Sequence, residues 1–313
     1  MRGCRGSCYA SIIPKQRSST GHLDRFLECV LFVAGLAFGS FLNVCISRIP
    51  DDESVVKPRS HCRSCGAQIG WRDNIPLLSW LFLRGNCRNC GARISWRYPA
   101  VELLTALLFL ACYLSFGWTL LTLKFCVFSF LLVGLIFMDA ETGLLPREFT
   151  YSGIVVGLVF AWFVATDYAA TALLLRAFGR RVPNVHWLSV LDSLLGGLVG
   201  AGFFFLAWAL YYLIRKRHGL GFGDIALMGM SGTFLGLKLV LMVIFCAPLL
   251  GVLFAGVLLV CEAFKPSGDA SQASESKTPF LSREMPFGVF LGGSSLLAVF
   301  VGEAVLSWYL RMI

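Results

Sequence analysis

Two aspartates carry the sharpest chemistry this chain offers. Asp139, in Phe137-Met138-Asp139-Ala140-Glu141, closes one long apolar run, and Asp224, in Gly221-Phe222-Gly223-Asp224, stands at the edge of another. An ionisable side chain at the end of a membrane segment is costly to keep there, so each marks a candidate functional site. Two carboxylates held about 3 Å apart cannot both ionise cheaply, and they share one proton. The ionised member then takes a proton from water while the protonated member polarises a carbonyl. That is aspartyl peptide hydrolysis, favoured where bulk water is restricted. Gly221 and Gly223 are expected to admit a substrate backbone and to permit positive φ, and Pro146 to stop the helix beyond Asp139. The duller reading makes both aspartates helix caps or interfacial charges. Gly-x-Gly-Asp is also not a dinucleotide fingerprint, since no strand precedes it and no third glycine follows in register.

Four cysteines form the second constellation. Cys62-Arg63-Ser64-Cys65-Gly66-Ala67-Gln68-Ile69-Gly70-Trp71-Arg72 repeats as Cys87-Arg88-Asn89-Cys90-Gly91-Ala92-Arg93-Ile94-Ser95-Trp96-Arg97, identical at eight of eleven positions. Each half is a Cys-x-x-Cys-Gly knuckle, whose tight turn aims two thiolates at one point. Together Cys62, Cys65, Cys87 and Cys90 supply the tetrahedral set of a closed structural zinc site. The 21 residues between Cys65 and Cys87 slightly exceed the usual spacing. Two disulfides or four metal-free thiols are the competing readings, and a reducing compartment disfavours the first. His61 adjoins a site already full and is read as a bystander. Cys29, Cys45, Cys112, Cys126, Cys246 and Cys261 lie in or beside apolar runs and read as small core residues; Cys4 and Cys8, in the polar tail, receive no role.

The elements that must position these groups are membrane helices. The chain of 313 residues is 57% hydrophobic and 14% charged, with net charge +9, and its mean hydropathy is +0.74. These values mark a polytopic membrane protein. No basic face with interleaved aromatics is visible, which excludes nucleic acid as a partner. After a basic tail (1–25), a first span (26–47) is too long for a signal-peptide core and lacks a small-residue cleavage site. Further apolar runs lie near 100–116, 118–138, 149–166, 188–214, 225–237, 238–263 and 287–311. The fold expected is therefore all-α, with about eight transmembrane helices and a small cytoplasmic zinc-binding insert (48–98). A membrane domain (99–313) follows, with a flexible loop (264–285) rich in Ser, Pro and acids. The insert holds nine Lys/Arg against four acids, which places it in the cytoplasm. Alternation then puts Asp139 and Asp224 on that side and Asp192 and Glu303 on the other. Arg176, Arg180 and Arg181 disagree with this, unless Ala170 to Phe178 is an interfacial amphipathic piece. Glu102, near the start of the second span, reads as a candidate for the insert's chemistry or as an acid stabilising its helix dipole.

From Phe38 onward the chain resembles bacterial type IV prepilin peptidases, also called prepilin leader peptidase/N-methyltransferases. The resemblance rests on Phe38-Gly39-Ser40-Phe41-Leu42-Asn43-Val44, the paired Cys-x-x-Cys knuckles, and Asn74-Ile75-Pro76-Leu77-Leu78-Ser79-Trp80-Leu81 with Leu83-Arg84-Gly85. It continues through Arg97-Tyr98-Pro99-Ala100-Val101-Glu102-Leu103-Leu104, both aspartate motifs and Pro286-Phe287-Gly288. It implies an inner-membrane aspartyl endopeptidase that removes the leaders of prepilins or pseudopilins at the cytoplasmic face, with Asp139 and Asp224 as the catalytic pair. It also implies N-methylation of the new N-terminus from S-adenosylmethionine, whose site spacing alone does not place; the insert and its flanking helix ends are nominated. Arg147, Ala226 and Glu141 depart from the residues usual in the family and bear on substrate handling near the site. Two other classes remain to be separated from it: a zinc-stapled, non-catalytic assembly factor for pilus or secretion machinery, and a transporter with carboxylates on a proton path.

Overall fold

The computed structural model describes residues 21–165, 168–180, 184–216, 221–263 and 286–312. Most of the basic tail, Arg181, Arg217, His218 and the loop 264–285 lie outside the described residues. Within them the chain forms α1 (Gly21–Arg48), α2 (Leu78–Phe82), α3 (Arg97–Phe116), α4 (Leu120–Thr142), α5 (Arg147–Phe163), α6 (Ala169–Ala177), α7 (Val185–Arg215), α8 (Phe222–Ala263) and α9 (Phe287–Met312). No strand occurs among the described residues, and the protein is an all-α polytopic membrane protein.

Six of these helices are long and apolar enough to cross a membrane. The expected eight apolar segments appear once two features are resolved. α5, at 17 residues, falls just short of a comfortable span. α8 is two arms joined at Gly236, whose φ of 78° and ψ of 177° leave the helical region. The arms run in opposite directions along α9. Ser231 meets Ser295 at 3.0 Å, Leu239 packs where a side chain on Gly302 would be, and Phe254 returns to Phe290 near the start of α9. Gly236 is therefore the tip of a helical hairpin, a turn that a residue with a Cβ makes only under strain.

Close backbone approach holds the bundle together. In a bilayer, helices gain little from burying apolar area against one another and associate through small residues that let backbones meet. A Cβ on Gly232 would lie 2.1 Å from the Gly196 carbonyl oxygen, and one on Gly200 2.5 Å from that of Met228. The same device joins α1 to α3, where a Cβ on Gly35 would lie 2.5 Å from the Ala106 Cα. Phe128 and Phe234 stack at 4.6 Å in the centre. Of the cysteines expected in the core, Cys45, Cys112 and Cys126 are buried, whereas Cys29 faces outward from α1.

The far end of the bundle is closed by buried charge. Asp192, fully enclosed, accepts a hydrogen bond from the Thr171 hydroxyl at 2.5 Å and one from the Leu237 N–H at 3.4 Å, so it caps the second arm of α8. Lys124 is also fully enclosed nearby, close enough for the Asp192 charge to act on it. Glu303 pairs with Lys238 at 2.6 Å. Both acids lie away from Asp139. The amphipathic piece expected near 170–178 is α6, anchored here by Thr171.

Candidate active site and metal centre

The other end of the bundle gathers the termini of seven helices. α4 delivers Asp139 in its last turn and stops at Gly143, whose φ of 66° places it in the left-handed region while its N–H returns to the Asp139 carbonyl at 2.9 Å. This is the glycine-terminated helix end. The expected stop at Pro146 is corrected: Pro146 precedes and opens α5, its fixed φ suiting a helix start.

Asp224 lies in the first turn of α8, and both aspartates are nearly enclosed, 5% and 8% exposed. Asp139 Oδ2 accepts the Val289 N–H at 3.1 Å, so it caps the first turn of α9, whose dipole favours a negative charge there. A Cβ on Gly288 would lie 2.8 Å from that same oxygen. Leu145 packs on both sides of the site. A Cβ on Gly223 would meet the Leu145 Cβ at 2.6 Å, and one on Gly288 would meet its Cδ1 at 3.1 Å. The two carboxylates are near enough for the charge of Asp139 to act on Asp224. Chains 85 residues apart thus bring two acids into one enclosed spot at the mouth of the bundle.

The expectation for the glycines beside Asp224 is corrected in two respects. Neither Gly221 nor Gly223 has positive φ, and Gly223 makes room for Leu145 rather than for a substrate backbone. Glu141 is also more than a solvated carboxylate. It forms an ion pair with Arg97, and Arg97 Nη2 donates to the Ser47 hydroxyl at 2.8 Å, joining the ends of α1, α3 and α4. Glu102 is not in the first turn of α3. It accepts the Leu77 N–H at 2.7 Å and so moors the insert to the bundle. Arg147 opens α5 and Ala226 lies in the first arm of α8; nothing in the structure assigns either a contact with the aspartates.

The insert brings its four cysteines together. All four sulfurs lie within 4.8 Å of one another, with Cys62 and Cys90 at 3.9 Å. Tetrahedral Zn–S bonds of about 2.3 Å call for sulfur–sulfur edges of roughly 3.8 Å, so the cluster fits a metal ion of that kind. The knuckles share one backbone plan. The Gly66 N–H returns to the Cys62 carbonyl at 2.8 Å and the Gly91 N–H to that of Cys87 at 2.9 Å. The amides of Cys65 and Ser64 pull the Cys62 thiol down to about 6. Amide and Asn89 side-chain donors pull Cys65 down as well. These donors favour the thiolate form at the two positions. His61 stands outside the four-sulfur set, as expected.

Between the insert and the bundle lies a cavity of about 1030 Å³, whose wall includes Asn43, Arg97, Glu102 and Glu141. Asn43 Oδ1 and Arg97 Nε are buried there without a hydrogen-bond partner. Sequence reasoning nominated this region but could not locate the cavity, because its wall comes from α1, α3, α4 and the insert at once.

Residues 33–116 match the family described as bacterial peptidase A24 N-terminal domain, and residues 126–256 match the type IV leader peptidase family. A protein of Myxococcus xanthus named prepilin leader peptidase/N-methyltransferase is 39% identical over 243 residues, covering 78% of this chain and 66% of that relative. A protein of Aeromonas hydrophila with the same name is 33% identical over 310 residues, covering 90% and 93%. One from Neisseria gonorrhoeae, again so named, is 34% identical and covers 78% and 88%. No solved structure gives a significant match.

Proposed function

Because the chain belongs to the type IV leader peptidase family, we propose that it is a membrane aspartyl endopeptidase acting on type IV prepilins or pseudopilins. It removes their leader peptides and then methylates the new N-terminus. The observation that carries this reading is the convergence of Asp139 and Asp224, both enclosed, beneath the first turn of α9.

The chemistry follows from that geometry. The Val289 N–H and the α9 dipole favour the ionised form of Asp139. Asp224, facing that charge, is the member that keeps the shared proton. Water between them gives its proton to Asp139 and attacks the scissile carbonyl, which Asp224 polarises. The proton then passes to the leaving amine. Leu145 and the close fit at Gly223 and Gly288 limit water to what the reaction needs.

Zinc held by Cys62, Cys65, Cys87 and Cys90 is structural on this reading, since four sulfurs leave no open position. S-adenosylmethionine fits the cavity beside the insert. The partnerless Asn43 Oδ1 is a free acceptor there, Glu102 and Glu141 suit a cationic sulfonium, and the volume suits a ligand of that size. Bound there, it would supply the methyl group, and Glu141 in the cavity wall would be a carboxylate able to accept the proton of the new amine. The excess of arginine in the insert supports the cytoplasmic side of the inner membrane for both sites.

Incubation with a prepilin and S-adenosylmethionine, followed by mass measurement of the product N-terminus, tests both activities. Shortening plus one methyl group is expected. Asp139→Asn and Asp224→Asn should insert normally and leave the leader intact; cleavage by both variants would overturn the roles given to the aspartates, and no cleavage by the unaltered chain would favour a scaffold.

A further inference from the structure

A second hollow adjoins the cavity beside the insert, sharing Val44, Arg48 and Ile69 with it, and neither aspartate is in its lining. It is a groove of about 560 Å³ between α1 and the first knuckle. Phe41 and Val44 of α1 form one wall, and Val56, Ile69 and Trp71 of the insert form the other. Phe41 precedes Arg48, the last residue of α1, by seven positions, which at 1.5 Å per residue places it about 10 Å down the helix. The groove therefore starts at the depth of acyl chains and rises to the helix end.

Its charge is one-sided, with Arg48 and Arg59 in the lining and no acid. Arg48 is spent internally, its guanidinium donating to the carbonyls of Ser54 at 2.9 Å and Pro58 at 2.8 Å. That leaves Arg59, exposed and without an acidic partner among the described residues. Two large apolar side chains stand open beside it, Val56 at 77% and Trp71 at 74% exposed, and Arg72 stacks on the Trp71 ring at 5.2 Å. Open apolar side chains at the surface of a polar insert mark a contact surface, and a tryptophan beside arginines suits the headgroup layer.

We propose that this groove binds an anionic phospholipid of the leaflet on the insert's side. An acyl chain lies along Phe41 and Val44, the phosphate meets Arg59, and Trp71 covers the glycerol region. A basic leader peptide is a poor occupant, because among the described residues that line the groove every charged one is an arginine.

The test uses the full chain in nanodiscs of phosphatidylcholine, doped at equal mole fraction with brominated phosphatidylglycerol or brominated phosphatidylcholine. The share of tryptophan fluorescence lost in Trp71→Phe isolates the signal of Trp71. Anionic lipid is expected to quench that share with a roughly fivefold preference in effective affinity, the worth of one basic residue at a charged surface. Arg59→Gln should remove most of the preference while leader cleavage continues. Equal quenching by the two headgroups overturns the proposal, and so does protection of Trp71 by an added prepilin peptide, which would make the groove a peptide site. Loss of cleavage in Arg59→Gln with lipid preference retained would also overturn it.

Discussion

The aspartate site and the cysteine insert meet at the same end of the bundle yet are held in shape by opposite means. Around Asp139 and Asp224 the structure is dense. Helix termini interlock, and glycines at 223 and 288 are filled by Leu145 and by the carboxylate itself. Between residues 49 and 96, by contrast, only Ser79 and Gly85 are buried. No apolar side chain of the insert is fully withdrawn from solvent, and Ile49 and Val55 pack against the bundle rather than one another, so it has little core of its own, and a segment of this size needs a staple. The bundle is rigid because its backbones touch; the insert is ordered because four sulfurs converge and because Glu102 and Arg63 tie it down, Arg63 donating to the Ser47 carbonyl at 2.8 Å.

The contrast can be broken most severely at the dense site. Asp139→Asn or Asp224→Asn should lower the rate of leader cleavage by roughly 10²–10⁴-fold, the usual worth of a positioned acid or base, with unchanged membrane insertion. Stripping metal with a chelator, or Cys62→Ser, should come next. The insert should become sensitive to trypsin at its exposed arginines and methylation should stop, while far-UV circular dichroism of the bundle stays the same. If the helices melted together with the insert, the two regions would be one cooperative unit and the distinction would fail. Gly232→Val forces a side chain into the Gly196 backbone and should destabilise the bundle by about 1–3 kcal/mol or more, read as a lower midpoint in thermal unfolding in detergent, with metal content unaffected. The smallest effect is expected from Glu102→Gln, which keeps an acceptor but loses its charge. About 1 kcal/mol of tethering should be lost, seen as faster hydrogen exchange at the Leu77 amide with leader cleavage retained.

Much of this plan was legible in the sequence because it rests on local signals. The knuckles repeat within a short window, and each aspartate interrupts an apolar run. Even the hairpin of α8 showed as a run too short to cross, 225–237, abutting a longer one. What stayed hidden depends on partners far along the chain. The amide on Asp139 comes from Val289, the mooring of Leu77 from Glu102, and the partner of Glu141 is Arg97. Such contacts leave no periodicity. Gly223 was misread for the same reason, since a glycine beside a catalytic candidate suggests substrate access, whereas Leu145, on another helix connection, is what occupies the space. Lys124, near the start of α4, is fully enclosed, and nothing in its sequence neighbourhood marks it.

The doubled knuckle has a consequence for biogenesis. Half of the insert offers only two sulfurs, so a growing chain would complete the four-sulfur set only when Cys87 and Cys90 have emerged behind Cys62 and Cys65. A metal held by all four sulfurs would draw the two halves together and shorten the tether between α1 and α3. A shorter tether lowers the entropic cost of pairing those helices, whose glycine-lined contact needs close approach. A metal so held would favour the meeting of the first two spans once the segment between them is complete.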